Sequence, residues 1–169
     1  MRKMLSHVVA CVLTGFIPLL AQAPATPAAA AITIKGDIPA TLTITAQDLA
    51  SMPRQSVSVE EEDGTKVTYE GVLLRDVLSR AGAATGNKLR GKALASYIVA
   101  SAHDGYKVVF TLGEIDPSFG NAPILVADRR DGKALFGYQG PLRLVCANDK
   151  AGARSVRMLE TLELVSLTK

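Results

Sequence analysis

Cysteine and histidine are scarce in this chain of 169 residues, which has two of each. Cys11 and His7 fall in an N-terminal segment with the features of an export signal, which leaves Cys146 and His103 beyond it. A single cysteine allows no intramolecular disulfide in that part. One imidazole and one thiol also cannot supply the three or four nitrogen and sulfur ligands of a zinc or copper site. The domain must therefore be stabilised by its apolar core.

A large net charge and the common catalytic motifs are missing too. Residues 32–169 carry 17 basic and 16 acidic side chains, a net charge of +1. Bulk charge therefore gives no support for binding nucleic acid or a membrane surface. The chain has no Gly-x-Ser-x-Gly motif and no glycine-rich phosphate loop, and nothing marks a nucleophile that His103 could activate. The acidic run 60–63 could bind a hard metal, but it is more typical of a solvated hairpin tip.

The first 31 residues are predicted to be a signal peptide followed by a flexible Ala- and Pro-rich lead-in. Arg2 and Lys3 precede an apolar run of 13 residues, and Ala-Gln-Ala at 21–23 offers a cleavage site. Thirteen apolar residues are too few to cross a bilayer, which takes roughly 20. We therefore expect a periplasmic protein whose mature chain has no membrane span. Residues 32–169 are enough for one domain and too few for two.

Alternating apolar residues and turn signals predict an α+β fold, with mainly antiparallel or mixed β-sheet and few short helices. Thr45 and Asp48 are spaced as a capping box that begins a short helix, and Gly82 is a typical helix stop. In chain order the prediction is strands at 31–38 and 41–44, a helix at 45–53, a hairpin at 56–71, a helix at 72–82, hairpins at 94–112 and 122–137, and strands at 140–147 and 159–167.

The hairpin at 94–112 raises the question of a binding site. A two-residue turn at Asp104-Gly105 makes His103 and Tyr106 the flanking pair, with both side chains on one face. Both faces of the hairpin are otherwise largely apolar, so we expect it to be central and its polar end to line a cleft. The alternative, which these residues alone favour, is a common Asp-Gly turn with His103 in solvent.

The C-terminal third of the chain resembles the closing segment of the sulfite-oxidase-like molybdopterin-binding domain. The residues that carry the resemblance are Asp131-Gly132, Leu135, Gly140-Pro141, Arg143 and the stretch Gly-Ala-Arg-Ser-Val-Arg at 152–157. Residues 69–82 are similar to the family's Gly-Val-x-Leu helix start, and the turn at 104–106 lies where the family has a similar one. The resemblance covers essentially all of residues 32–169 and implies the sulfite-oxidase-type fold.

The resemblance also implies a set of ligand-binding residues. In that family the strand arginine and the Ser-Val-Lys segment contact the pterin and phosphate portions of the cofactor. The residues at those positions, those of the facing turn and one further acid form the candidate set: His103, Asp104, Tyr106, Glu114, Arg143, Arg154, Ser155, Val156 and Arg157. The alternative for 152–157 is an exposed basic loop, because arginines are usually solvated.

The chemistry of a pterin suits these side-chain types. Asp104 or Glu114, a choice that the sequence leaves open, would accept hydrogen bonds from the amino-pyrimidine edge. The arginines would donate to the oxo edge or to the tail. The ring face would be covered by an aromatic side chain or a guanidinium plane, and the aromatic candidates are Tyr106, Phe136 and Tyr138.

One requirement of the family's enzymes is not met. They place a cysteine thiolate on molybdenum shortly before the Gly-Val-x-Leu helix, and residues 55–71 contain no cysteine. Cys146 lies on a later strand and is typical of a buried core thiol, and Gln139 stands where the family has a histidine. The resemblance therefore implies the exported, cysteine-lacking branch of the family: a non-catalytic protein that binds a reduced, tetrahydropterin-type ligand without metal.

Such a protein is expected to report the pterin level to a partner. The partner would be the periplasmic domain of a membrane-bound signalling protein, such as an enzyme of cyclic-dinucleotide metabolism. Two alternatives stay open. One is a molybdenum cofactor oxidoreductase with atypical metal ligation, and the other is an adaptor domain with an empty cleft.

Overall fold

The computed structural model describes residues 30–61 and 63–167, so the predicted signal peptide lies outside the described residues. In chain order the described elements are β1 (Ala31–Gly36), β2 (Leu42–Thr45), α1 (Ala46–Ala50), β3 (Arg54–Glu60), β4 (Lys66–Leu73), α2 (Leu74–Arg80), β5 (Ser96–Ala102), β6 (Lys107–Thr111), α3 (Leu112–Ile115), β7 (Ile124–Arg130), β8 (Lys133–Ala134), β9 (Arg143–Cys146) and β10 (Leu159–Ser166). Short 3-10 turns lie at Gly86–Lys88, Gly91–Ala95, Gly137–Gln139 and Gly152–Arg154. β1 begins one residue before the expected start of the domain.

The strands form two sheets. The first has the order β2-β1-β10-β5-β6, and the second has the order β3-β4-β7-β8 with β9 also paired to β7. β1 and β10 run parallel, whereas the other pairs in the described part are antiparallel. The predicted α+β class with mainly antiparallel sheet is therefore confirmed. No helix within the two described ranges combines the length and apolar character that crossing a membrane requires.

The predicted helix signals are found where the spacing placed them. The Thr45 N–H donates to Asp48 Oδ2 at 3.0 Å and the Asp48 N–H donates to Thr45 Oγ1 at 3.2 Å, which completes the capping box of α1. Gly82 follows α2 with a φ of +86°, the left-handed conformation that favours glycine. The second helix is shorter than predicted, because Val72 and Leu73 complete β4 and α2 begins at Leu74.

The main apolar core lies between the two sheets. A smaller apolar cluster covers the other face of the second sheet, and we call this face the outer face. The outer cluster consists of Val67, Tyr69, Leu73, Leu125, Ala127, Leu135 and Val145, with Val57 and Val59 packed against it. Successive side chains of a strand point to opposite faces. In β9, Leu144 and Cys146 therefore enter the main core, whereas Arg143 and Val145 lie on the outer face.

The β5–β6 hairpin differs from its prediction in register. The Ala102 N–H donates to Tyr106 O at 2.9 Å, so the turn spans three residues, 103–105, rather than two. Gly105 takes a φ of +87°, which suits a three-residue turn with a left-handed residue. The predicted His103–Tyr106 pair is therefore wrong, because a one-residue slip moves side chains to the other face.

The predicted central position holds for only one strand of this hairpin. β5 lies between β10 and β6, whereas β6 forms the edge of the first sheet. Val109, on β6, is accordingly exposed, although Phe110 beside it is buried in the main core.

Candidate functional site

Arg143 is the most unusual side chain of the outer face. It begins β9, opposite Ala127 of β7, and is only 8% exposed. Its guanidinium lies over the Tyr69 ring, 4.9 Å from the centroid, and its Nη1 donates to Tyr69 Oη at 2.8 Å and to Gln139 Oε1. Its Nε is buried and has no hydrogen-bond partner among the described residues. An unsatisfied buried donor costs about 1–3 kcal/mol, so an external acceptor here would be favourable.

Arg143 is also a cation with no direct carboxylate partner among the described residues. Burial is the main cause that lowers its pKa, and the positive charge of Arg157 acts in the same direction. Neither arginine forms an ion pair with a carboxylate within the described residues. Because a guanidinium keeps its charge in proteins, the two cations repel each other and favour an electron-rich ligand beside them.

A hydrogen-bonded network extends from Arg143 along the outer face. Tyr69 Oη donates to Glu61 Oε1 at 3.3 Å, and Arg130 Nη2 donates to Glu61 Oε2 at 2.9 Å. The network thus connects Gln139, through Arg143, Tyr69 and Glu61, to Arg130. Burial, as the largest cause, raises the pKa of Tyr69, so its hydroxyl stays protonated and can donate.

Both ends of this network line a cleft on the same side of the molecule, which we call the 130–139 cleft. Its volume is about 450 Å³, within the range of small-molecule sites. The lining residues are Arg130, Asp131, Lys133, Ala134, Leu135, Phe136, Gly137, Tyr138 and Gln139. Phe136 is 81% exposed and Tyr138 is 62% exposed. The Arg157 guanidinium lies 4.7 Å from the centroid of the Tyr138 ring, so the cleft offers aromatic faces beside a cation.

The wall of the cleft depends on a close backbone approach. Leu135 is buried in the outer cluster, and its backbone N–H donates to Asp128 O at 2.8 Å. Gly140 lies against it, so that a Cβ at Gly140 would be 2.6 Å from the Leu135 carbonyl carbon. Only glycine fits this approach, which holds the 136–139 segment, with its two exposed rings, next to Arg143.

A second polar cluster lies at the other end of β9. Arg154 Nε donates to Asp149 Oδ2 at 2.7 Å and its Nη2 donates to Glu114 Oε1 at 2.6 Å. The Arg154 guanidinium also lies 4.9 Å from the Phe110 ring centroid. Hydrogen bonds to Asp149 and then to Glu114 raise its pKa. Glu114 and Arg154, both predicted to bind the ligand, are thus paired with each other beside a pocket of about 150 Å³.

Cys146 lines that smaller pocket as a protonated thiol. Burial is the main cause that raises its pKa to about 12. Its Sγ lies 3.5 Å from Arg154 O as a donor, and its N–H donates to Ser155 Oγ at 3.1 Å. The interpretation of Cys146 as a buried core thiol is confirmed. Arg143 and Cys146 stand about 10 Å apart along β9, at about 3.3 Å per residue.

The residues of the β5–β6 turn stand in solvent. His103 Nδ1 is 3.3 Å from Glu160 Oε1, and both side chains are largely exposed. Asp104 Oδ1 accepts from the Tyr106 N–H at 3.0 Å, which stabilises the turn itself. Tyr106 Oη donates to Ala153 O at 2.7 Å, so this side chain joins the turn to the 152–157 segment.

Val156 and Ser155 make contacts within the protein that stabilise the fold. The Val156 side chain is fully buried in the main core, and its carbonyl oxygen accepts from the Leu144 N–H at 2.8 Å. Ser155 Oγ is the acceptor for the Cys146 N–H. Of the nine predicted residues, Arg143 and Arg157 are those that contact residues lining the 130–139 cleft.

Several residues of this site were not among the predicted ligand-binding residues. Glu61, Tyr69 and Arg130 come together because β4 pairs with β7, with Tyr69 opposite Arg130. No three His, Cys, Asp or Glu side chains within 30–61 and 63–167 are grouped so as to hold a metal. The acidic run at the β3–β4 turn is not a ligand cluster in the part described: Glu61 joins the network, whereas Asp63 Oδ1 accepts from the Thr65 N–H at 2.9 Å.

Most of the chain matches one known protein family. The sequence model described as "Oxidoreductase molybdopterin binding domain" matches residues 20–168, most of the chain. The chain belongs to this family. Among curated proteins, a sequence comparison finds no match.

A solved structure supports the fold of this molybdopterin-binding-type domain. The crystal structure of the sulfane dehydrogenase SoxCD from Paracoccus pantotrophus superposes with a TM-score of 0.61 at 20% sequence identity. The match covers 83% of this chain and 39% of that chain, so the present chain spans about two fifths of its length. At this identity the likeness shows the fold alone. The predicted sulfite-oxidase-type fold is confirmed.

Proposed function

We propose that this family member binds a reduced pterin in the 130–139 cleft, without molybdenum and without catalysing a reaction. The observation that carries the proposal is Arg143, a buried guanidinium without a carboxylate partner, whose Nε lacks an acceptor in the described residues. A carbonyl, hydroxyl or phosphate oxygen of the ligand would satisfy that donor after a shift of the 136–139 segment, whose Gln139 bonds Arg143. Arg157 on the rim would add a second charged donor.

The shape of the cleft supports a flat ligand. Phe136 and Tyr138 present large exposed rings on one segment, and exposed apolar surface of this kind is typical of a binding site. Aromatic stacking is worth about 0.5–1.5 kcal/mol per pair beyond area burial. A pterin bicycle could stack on either ring while its oxo edge or tail accepts from the arginines.

The available donor atoms fit the organic part of a molybdopterin-type cofactor and do not fit its metal. Molybdenum in this family takes a thiolate, and soft thiolate ligation is a chemical requirement. Cys146 is a protonated thiol with a pKa of about 12. It enters the main core, on the opposite face of β9 from Arg143. We therefore assign no molybdenum to the cleft and no redox step to the protein.

Export and signalling complete the proposal. The N-terminal segment supports a periplasmic location, and the partner would be the periplasmic domain of a membrane-bound signalling protein. Ligand binding would stabilise one arrangement of the 136–139 segment, and the partner would recognise that arrangement, as in a population shift. The partner would contact the exposed Phe136 ring in particular, because a ligand in the cleft changes the surroundings of that ring.

Mass spectrometry of small molecules released from protein purified from its native host, together with metal analysis, tests this function. A released pterin at near-equal stoichiometry without molybdenum supports it. Stoichiometric molybdenum would overturn it in favour of an oxidoreductase with atypical ligation. If no pterin is released and added tetrahydropterin gives no thermal shift, the proposal is also wrong and an adaptor role is favoured.

A further inference from the structure

Glu61 is a carboxylate of the outer face that the sequence marked only as part of the acidic run 60–63. It follows β3 directly, and its side chain lies on the outer face between Tyr69 and Arg130. About a third of the side chain, 33%, is exposed to solvent. Each carboxylate oxygen accepts one hydrogen bond in the network, and each has a second lone pair that a ligand could use.

An ion pair and hydrogen bonds connect Glu61 to residues at both ends of the 130–139 cleft. Arg130, its ion-pair partner, lines the cleft directly. Through Tyr69 the carboxylate is also joined to Arg143, which bonds the cleft residue Gln139. A carboxylate placed between the site's cations suits a ligand edge that only donates hydrogen bonds.

Three other acids that could fill this role already accept hydrogen bonds or form ion pairs within the protein. Asp104 accepts within its own turn, and Glu114 pairs with Arg154 in the smaller pocket. Asp131 lines the cleft, but its Oδ1 accepts from the Thr68 N–H at 2.8 Å and so fixes the β4–β7 pairing. Asp131 also holds a turn position with a φ of +50°, where Asp and Asn serve equally.

We infer that Glu61 binds the amino-pyrimidine edge of the pterin, so that the site selects ligands with an amino group over analogues with an oxo group there. This inference rests on the proposed function. The pterin edge offers two adjacent N–H donors to one carboxylate, whereas the corresponding edge of a lumazine offers one N–H beside a carbonyl oxygen. The carbonyl oxygen would face the carboxylate and repel it.

The test compares tetrahydropterin with tetrahydrolumazine by anaerobic calorimetry on the full mature chain. For the natural protein we expect tetrahydropterin to bind about 10- to 100-fold more tightly, the effect of one charged hydrogen bond gained or lost. Glu61→Gln supplies one donor and one acceptor, which match the lumazine edge. The variant should therefore lose the preference or reverse it, while thermal denaturation shows an intact fold.

Glu114→Gln, outside the cleft, is the matched control and should keep the preference for tetrahydropterin, and Asp131→Asn in the cleft wall tests the rival acid. If Glu61→Gln keeps it too, or if Asp131→Asn loses it instead, the assignment of Glu61 is wrong although the protein binds pterins. If the natural chain binds neither compound, the proposed function fails and the assignment fails with it.

Discussion

Replacing Arg143 by methionine should separate ligand binding from stability. Methionine keeps much of the apolar volume and removes the charge. The change removes two hydrogen bonds from a charged donor, to Tyr69 and Gln139, worth about 1.5–3 kcal/mol each, and a cation–π contact worth about 0.5–2 kcal/mol. It also removes an unsatisfied Nε donor, which costs about 1–3 kcal/mol, and the desolvation of a buried cation without a carboxylate partner.

These opposing contributions nearly cancel, so the free energy of unfolding of Arg143→Met should change by less than about 1–2 kcal/mol. Binding of tetrahydropterin should fall by at least about 10- to 100-fold, the loss expected for a charged hydrogen bond. Urea denaturation measures the first quantity and anaerobic calorimetry the second. A loss of stability above about 3 kcal/mol, or unchanged affinity, would refute the reasoning, because Arg143 would then be a structural residue.

Three further predictions concern the rest of the site and the core. Arg157→Ala should weaken tetrahydropterin binding about 10- to 100-fold with little change in melting temperature. The control Arg129→Ala, at an exposed arginine, should leave the calorimetric affinity unchanged. Equal effects of the two substitutions would show that Arg157 is not part of the site. Gly140→Ala should lower both melting temperature and affinity, because its Cβ would be 2.6 Å from the Leu135 carbonyl carbon, and a variant with natural values for both would contradict the close approach. The raised pKa of Cys146 means that the folded state favours the protonated thiol. The contribution of this group to the free energy of unfolding is therefore complete below the unfolded pKa of about 8.5. It is lost as the pH rises towards about 12, because the thiol ionises first in the unfolded state. Denaturation at rising pH should therefore show a smaller alkaline loss for Cys146→Ala than for the natural chain, and identical slopes would contradict the burial of the thiol.

Local signals in the sequence predicted the elements well. The spacing of Thr45 and Asp48 gave the first helix, and the Asp131-Gly132 turn joins β7 to β8 as expected, with both residues at positive φ. The β5–β6 register was missed because Asp-Gly fits two-residue and three-residue turns alike. A single extra turn residue then changes which side chains share a face.

The candidate site could be predicted only in part. Some of its residues lie in the segment that carries the family resemblance, whereas others meet through long-range strand pairing. Arg143 and Arg157 lie in a segment that carries the family resemblance, so their positions could be inferred. Glu61 and Arg130 are 69 residues apart in sequence and meet through long-range pairing next to a register shift between β4 and β7. Such long-range contacts produce no periodic pattern in the local sequence from which they could be predicted. Glu114 and Arg154 were both expected at the ligand, but their opposite charges are satisfied by each other.

We propose that the cleft binds the organic half of the cofactor through arginines that no carboxylate of the described residues neutralises. Anaerobic calorimetric titration of the mature chain with tetrahydropterin, beside the Arg143→Met and Arg157→Ala double variant, tests it most directly. We expect one binding site per chain in the natural protein and no measurable binding in the double variant. Absence of binding by the natural chain, or binding that survives in the double variant, would contradict it.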